Sequence, residues 1–108
     1  MRHVAPLSEP VLWILASLAG GPKHGYALMQ DIETLSQGRV RIGTGTLYGA
    51  LRRLLENAWI EPHPQPDTSR DKQAYRLAAE GRSQLESELE RLRQLTRIAA
   101  ARLRTREA

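Results

Sequence analysis

Apolar side chains recur at helical spacing through the first half of the chain, with polar residues between them, and this pattern predicts three short helices. We expect these helices over residues 8–19, 24–36 and 43–57. Ser8 is suited to the N-cap of the first helix, and the glycines and proline of 20–22 would end it. Because the connections are short, the three helices should pack together in one compact unit.

The spacing changes from helical to alternating after the third helix. Residues 59–61 and 74–77 alternate as short strands do, and 62–72 between them is polar and contains three prolines. This pattern predicts a two-stranded hairpin with a long surface loop. Three helices followed by such a hairpin, or wing, are the arrangement of a winged helix-turn-helix.

A long helix is predicted at the end of the chain. Residues 79–106 contain no proline, and their apolar residues are spaced by four and three, as in heptads. At 1.5 Å per residue this helix would be roughly 40 Å long. We therefore predict a mainly α protein of the α+β type, with a winged helix-turn-helix over 1–77 and a C-terminal dimerisation helix over 78–108.

Two of these helices carry more apolar surface than one small domain should cover. The first helix is apolar nearly all round, and the seam of the long helix extends past the rest of the domain. We expect both surfaces to pack on a second copy of the chain. The alternative is that the long helix folds back on its own domain. The candidate interface residues are Val11, Leu12, Leu15, Leu89, Leu92, Thr96, Ala99 and Leu103.

The third helix has an outer face suited to DNA. If its leucines point inward, glycines and arginines point outward, and the glycines allow a close approach to the sugar-phosphate backbone. Hydroxyls and free N–H groups at the helix N-terminus favour phosphate, and arginine can also reach the acceptor edge of guanine. An ordinary solvated helix face is the alternative. The candidate DNA contacts are Thr44, Thr46, Tyr48, Gly49, Arg52 and Arg53.

Three further cations are candidate DNA contacts outside this helix. Lys23 precedes the second helix, and Arg70 and Lys72 lie in the wing loop, where the alternative is a solvated loop. Beside Lys23, we expect His24 to be a structural histidine rather than a metal ligand or acid–base group. We expect Tyr26 to pack between helices.

Composition and charge narrow the function classes. The chain carries 16 basic and 12 acidic residues, a net charge of +4, which favours polyanionic partners. It has no cysteine, and the three histidines lie in separate segments. No glycine-rich phosphate loop, metal-binding repeat or Ser/His/Asp set is present. We therefore expect no enzymatic activity, metal or cofactor. The apolar runs fall short of the roughly 20 residues that span a bilayer, so no membrane association and a cytoplasmic location are expected.

Several motifs resemble one known family. HGY at 24–26, TLYGALRRL at 46–54 and YRL at 75–77, with Gly81 four residues later, resemble the PadR family in order and spacing over about residues 7–95. The resemblance implies a winged-helix repressor that binds double-stranded DNA. It would belong to the branch of the family that has a single C-terminal dimerisation helix. Similar regulators often lose DNA affinity when a small molecule binds. Trp13 could line such an effector pocket, although a core tryptophan is the simpler interpretation.

Three positions depart from that family pattern. The family often has proline where Thr44 stands, glycine where Ala58 stands and threonine where Ala78 stands. An unusual backbone angle is therefore expected at Ala58. Ala78 cannot serve as an N-cap for the last helix.

The sequence thus predicts a homodimeric DNA-binding transcription regulator, most simply a repressor that binds a pseudo-palindromic operator. The alternative is a winged-helix module that binds another protein. A protein-binding face would carry large apolar residues in place of Gly45, Gly49 and Arg52, so the third helix favours DNA.

Overall fold

The computed structural model describes residues 6–64 and 73–107, which fold into four helices and a small antiparallel sheet. In chain order the elements are α1 (Glu9–Ala19), β1 (Lys23–His24), α2 (Gly25–Leu35), α3 (Thr44–Glu56), β2 (Ile60–His63), β3 (Ala74–Leu77) and α4 (Ala79–Glu107). The four predicted helices are confirmed, each with ends within one residue of the expected positions.

The first three helices begin with different caps. The Ser8 hydroxyl accepts a hydrogen bond from the N–H of Val11 at 3.4 Å, as its predicted role as N-cap of α1 requires. The imidazole Nδ1 of His24 accepts from the N–H of Ala27 at 3.5 Å at the start of α2. Gly43 caps α3 without a side chain, so the first N–H groups of that helix have no side-chain acceptor at the cap.

The sheet has a third strand that the sequence pattern did not predict. Its order is β1-β3-β2, with Ile60 opposite Leu77 in the wing and Lys23 opposite Tyr75 at the other edge. β1 contains two residues, too few to show any periodicity. It forms because the N-cap of α2 has an extended backbone, which lets this short segment pair with β3.

One apolar core lies among α1, α2, α3 and the sheet, and the first turns of α4 close it. The buried residues of this core are Ile14, Leu15, Leu18, Leu28, Ile32, Leu47, Ala50, Leu51, Leu54, Ile60, Tyr75 and Leu85. Leu15 is completely buried in its own protomer. It has no surface left for a partner, so its prediction as an interface residue is wrong.

Much of the apolar surface of α1 is covered within the same chain. α1 contacts α2, α3, β3 and α4, and Leu85 and Glu88 in the first half of α4 are buried against this body. The expectation that only a partner could cover the second face of α1 is therefore wrong. The alternative, that α4 folds back on its own domain, holds for its first half. Within residues 6–64 and 73–107, no helix combines the length and apolar character that crossing a membrane requires.

A close turn joins α3, the wing and α4. Ala58 has φ of 61°, in the left-handed region, as expected at a position where related sequences have glycine. The carbonyl of the next residue, Trp59, accepts a hydrogen bond from the N–H of Ala78 at 3.0 Å. A Cβ added at Gly81 would lie 2.9 Å from the carbonyl carbon of Trp59, so only glycine lets α4 begin this close to the turn.

Candidate nucleic-acid interface

The outer face of α3 is polar and open to solvent. Leu47, Ala50, Leu51 and Leu54 are buried against the core, which fixes the rotation of the helix. The residues that face outward are then Thr44, Gly45, Thr46, Tyr48, Arg52 and Arg53, all exposed, with Gly49 half-buried among them. The six DNA candidates in α3 are thus brought together on one accessible surface.

The N-terminus of this helix suits an anion. Gly43 provides no side-chain acceptor, so the N–H groups of the first turn point outward with the positive end of the helix dipole. The exposed hydroxyls of Thr44 and Thr46 stand beside them. Backbone and hydroxyl donors in this position are the usual partners of a DNA phosphate at a helix N-terminus.

Tyr48 joins this face to the start of α2. A Cβ added at Gly25 would lie 2.8 Å from Cζ of Tyr48, so the ring packs directly on the first residue of α2. The side chain is nevertheless 42% exposed. Burial, and secondarily the neighbouring phenol of Tyr48, raise the pKa of Tyr75 on β3. Tyr48 therefore both presents a phenol to solvent and sets the spacing between α2 and α3.

The cations of α3 are free to meet a polyanion. Among the described residues, neither Arg52 nor Arg53 has an ion-pair partner, and both are exposed. Two further arginines lie in the connection between α2 and α3. Arg39 is exposed, and Arg41 pairs with Glu33 at 3.3 Å. The sequence analysis considered the faces of the helices and therefore did not identify Arg39 and Arg41 as candidate DNA contacts. The signal was available, because both lie in the segment that leads into α3.

The ammonium of Lys23 is bound within the protein at the end of α1. Its ammonium donates to the carbonyl oxygens of Ser17 at 2.6 Å and Gly21 at 3.2 Å, and lies 3.8 Å from the carboxylate of Asp31. The Ser17 hydroxyl completes the cluster by donating to Asp31 at 2.5 Å. A cation is stabilised by the carbonyls at the end of a helix, here α1. The predicted phosphate contact of Lys23 does not fit this geometry.

The predictions for His24 and Tyr26 have opposite outcomes. The imidazole of His24 accepts the N–H of Ala27, so the prediction of a structural histidine is confirmed. Tyr26 is 61% exposed and its hydroxyl accepts a hydrogen bond from Gln30 at 3.2 Å, so the prediction that it packs between helices is wrong. Arg70 and Lys72 lie outside the described residues, and their DNA contacts stay a prediction.

Trp13 of α1 packs against the edge of the apolar core. It is half-buried, and its indole N–H donates to Glu9 at 3.2 Å. With Arg39 and Val40 it lines an open groove of about 300 Å³. The effector role of Trp13 stays a prediction.

The remaining interface candidates lie on two surfaces. Val11 and Leu12 of α1 and Leu92 of α4 are half-buried within the protomer. The other four candidates are exposed along α4, namely Leu89, Thr96, Ala99 and Leu103.

Comparison with known proteins identifies the family. The model of the transcriptional regulator PadR-like family matches residues 14–87. The chain belongs to the PadR-like family. This confirms the resemblance that the motifs of α2, α3 and β3 indicated. The family is one of transcriptional regulators.

One relative is similar to this chain over most of its length. An uncharacterized 37.1 kDa protein in transposon TN4556 of Streptomyces fradiae is 37% identical over 89 residues. The match covers 82% of this chain and 24% of the relative, so the chain spans about a quarter of that protein's length.

Two solved structures share the fold. A PadR family transcription regulator from Clostridium difficile R20291 is 20% identical with a TM-score of 0.73, over 89% of this chain and 99% of that chain. F93 from STIV, a winged-helix DNA-binding protein, is 20% identical with a TM-score of 0.65, over 78% of this chain and 87% of that chain. The predicted winged-helix fold class with a long C-terminal helix is confirmed.

Proposed function

We propose that this protein is a cytoplasmic, homodimeric repressor that binds a pseudo-palindromic site in double-stranded DNA through α3. The observation that carries the proposal is the exposed face of α3, where a phenol, two threonine hydroxyls and two arginines surround a half-buried glycine. Neither arginine has an ion-pair partner in the part of the chain that the structure describes. Large apolar side chains, which a protein-binding face would need, do not occur at Gly45, Gly49 or Arg52.

The two-fold character of the site follows from the geometry of helix-turn-helix binding. One such unit reads a half-site, and a dimer places two recognition helices in successive major grooves about 34 Å apart. The exposed apolar side chains of α4 provide surface for that dimer. Repression is the simplest outcome, because a dimer bound across a promoter excludes polymerase without needing a further surface.

Relief of repression by a small molecule is a separate part of the proposal. The groove beside Trp13 also contains Arg39, which lies in the connection leading to α3. A ligand bound there would change the fluorescence of Trp13 in a Trp59→Phe variant, where it is the remaining tryptophan. A ligand that releases DNA without this change would place the effector site elsewhere.

Fluorescence anisotropy with the DNA upstream of the protein's own gene tests DNA binding. If about 6–10 phosphates are neutralised, affinity should fall by ~10³ or more between about 50 and 200 mM salt. Arg52→Ala should weaken binding by about 1–3 kcal/mol. The matched control is Arg82→Ala, which removes one exposed arginine from α4.

Two results would count against DNA as the partner. One is a flat response to salt, and the other is an equal effect of the Arg52 and Arg82 variants. Either result, with the variants folded by circular dichroism, would favour the protein-binding alternative.

A further inference from the structure

A cleft of about 320 Å³ lies where the segment before α1 meets the end of α3 and the turn that leads into the wing. Among the residues that line it are Leu7, Val11, Arg53, Leu54, Asn57 and Trp59, and we call it the Trp59 cleft. It shares no lining residue with the groove beside Trp13. The two tryptophans of the chain therefore mark two separate surfaces.

The walls of the Trp59 cleft are held in place by hydrogen bonds and by packing. The N–H of Leu7 donates to the carboxylate of Glu88 at 3.3 Å, which fixes the segment before α1. The N–H of Trp59 donates to the carbonyl oxygen of Leu54 at 2.9 Å, and Leu54 itself is buried in the core. A cleft with fixed and mainly apolar walls is the usual form of a small-molecule site.

The charge of the lining indicates an anionic ligand. Of the described residues that line the cleft, Arg53 is the one with a charge, and it is exposed. Within residues 6–64 and 73–107 it forms no ion pair. The exposed amide of Asn57 adds a second donor. A guanidinium beside an apolar surface favours a carboxylate with an apolar body, because the carboxylate accepts two parallel hydrogen bonds.

The volume of the cleft limits the size of that apolar body. An apolar cavity of about 150 Å³ holds one benzene molecule. A cleft of about 320 Å³ therefore takes an aliphatic chain of roughly eight carbons together with its carboxylate. The side chains of Leu7, Val11 and Leu54 provide aliphatic surface for such a chain.

Arg53 also borders the DNA-facing surface of α3. It lies four residues after Gly49, which is on that surface, and four residues before Asn57, which lines the cleft. Residues four apart lie on the same side of a helix, one turn from each other. The guanidinium of Arg53 is therefore within reach of both surfaces, and a carboxylate bound to it takes the paired donors that a phosphate would use.

We propose that the Trp59 cleft binds a medium-chain carboxylate, which pairs with Arg53 and so competes with DNA for this arginine. The inference rests on the proposed DNA contact of α3. It adds a ligand site at the border of that contact, separate from the groove beside Trp13.

Octanoate is the probe, and the fluorescence of Trp59 in a Trp13→Phe variant measures its binding without DNA. Octanoate should change this fluorescence to saturation, and Arg53→Gln should raise its dissociation constant by about 3- to 10-fold. Arg52→Gln is the matched control and should leave that constant unchanged, since Arg52 is exposed but does not line the cleft. Octanol has the same apolar body without the charge, so it should bind more weakly and should not respond to Arg53→Gln.

Fluorescence anisotropy with labelled DNA then measures the competition. Saturating octanoate should reduce the DNA affinity of the parent several-fold beyond the effect of sodium acetate at the same concentration. The slope of log affinity against log salt should become shallower by about one, because Arg53 no longer neutralises a phosphate. In Arg53→Gln, octanoate should cause no further loss of DNA affinity.

Four results would overturn the inference. The first is an unchanged Trp59 fluorescence on addition of octanoate, and the second is an equal loss of octanoate affinity in the Arg52 and Arg53 variants. The third is a Trp59 fluorescence that changes when the protein alone is diluted, because a second copy would then cover the cleft. The fourth is bound octanoate with unchanged DNA affinity. A parent that binds octanoate at Trp59 but binds no DNA would instead contradict the proposed function, and the cleft would remain a carboxylate site.

Discussion

The ring of Tyr48 in α3 lies directly against Gly25, the first residue of α2. A Cβ at Gly25 would come within 2.8 Å of Cζ of that ring. The contact therefore sets how closely the two helices of the helix-turn-helix approach each other. It also makes one residue of the DNA-facing surface part of the packing that orients it.

Replacing Gly25 by alanine should disturb both stability and DNA binding. The added methyl group must displace Tyr48, and overpacking of this kind costs about 1–3 kcal/mol. Urea denaturation measures the loss of stability, and anisotropy measures the expected loss of DNA affinity. The contact with Tyr48 predicts strong coupling. In a Tyr48→Ala background, Gly25→Ala should have little effect on stability, and an equal cost in both backgrounds would refute the steric origin.

Gly49 should respond in the opposite way to Gly25. A Cβ added there would meet no atom within 4 Å, and the residue lies inside α3. Gly49→Ala should therefore raise the free energy of unfolding by about 0.5–1 kcal/mol, since alanine is the better helix former. DNA affinity should nevertheless fall several-fold, because the methyl group stands where α3 approaches the sugar-phosphate backbone.

A matched substitution away from α3 separates these two effects. Ser83→Ala, at an exposed position of α4, should also raise stability without changing DNA affinity. If the Gly49 variant binds as tightly as the parent, this part of α3 does not approach DNA closely.

Ala58 occupies a backbone conformation that glycine adopts more easily. With φ of 61°, its Cβ is crowded, at a cost of roughly 1–2 kcal/mol. Ala58→Gly should therefore stabilise the protein by about 1 kcal/mol in urea denaturation. Ala101→Gly, at an exposed right-handed position of α4, should destabilise it by a similar amount. Destabilisation by both substitutions would show that the turn does not strain Ala58.

The elements with strong periodicity were predictable from the sequence. The leucines of α3 gave the rotation of that helix, and this in turn gave its exposed face. β1 was not predictable, because two residues carry no period and its pairing with β3 depends on tertiary structure. Exposure also depends on tertiary structure. The spacing that grouped Tyr26 with the apolar residues of α2 therefore could not show that its side chain is exposed.

The errors at single residues have a common physical cause. A basic residue next to the C-terminus of a helix can bind either a phosphate or the last carbonyl groups of that helix. Lys23 follows the end of α1 by a few residues and binds the carbonyl of Ser17. An apolar helix can likewise be covered by its own chain or by a partner. Leu15 is covered by its own chain, and only the packed structure decides between these outcomes.

Glu88 connects α4 to the segment that precedes α1, and this connection should depend on pH. Its carboxylate accepts two hydrogen bonds from Arg91, at 2.9 and 2.7 Å, and one from the N–H of Leu7 at 3.3 Å. The bonds from Arg91 are the largest cause of a lowered pKa at Glu88. Burial acts in the opposite direction and raises this pKa, whereas the hydrogen bond from Leu7 lowers it further.

The sign of the pH effect follows from that lowered pKa. The carboxyl is easier to protonate in the unfolded chain, so its contribution to stability is complete above the unfolded value, about 4.3, and is lost as pH falls through the lower folded value. Glu88→Gln should therefore reduce stability near neutral pH and lose less of it on acidification than the parent. Urea denaturation at about pH 7, 5 and 3.5, at one protein concentration, measures both effects.

The matched control for Glu88 is Glu86→Gln, an exposed glutamate without an ion-pair partner among the described residues of the same protomer. Below the concentration at which dimers form, it should follow the parent at every pH. If Glu88→Gln loses as much stability on acidification as the parent does, the bonds to Arg91 and Leu7 are not what stabilises the ionised carboxylate. If the expected difference is seen, the ionised carboxylate of Glu88 is what stabilises the contact between α4 and the segment that precedes α1.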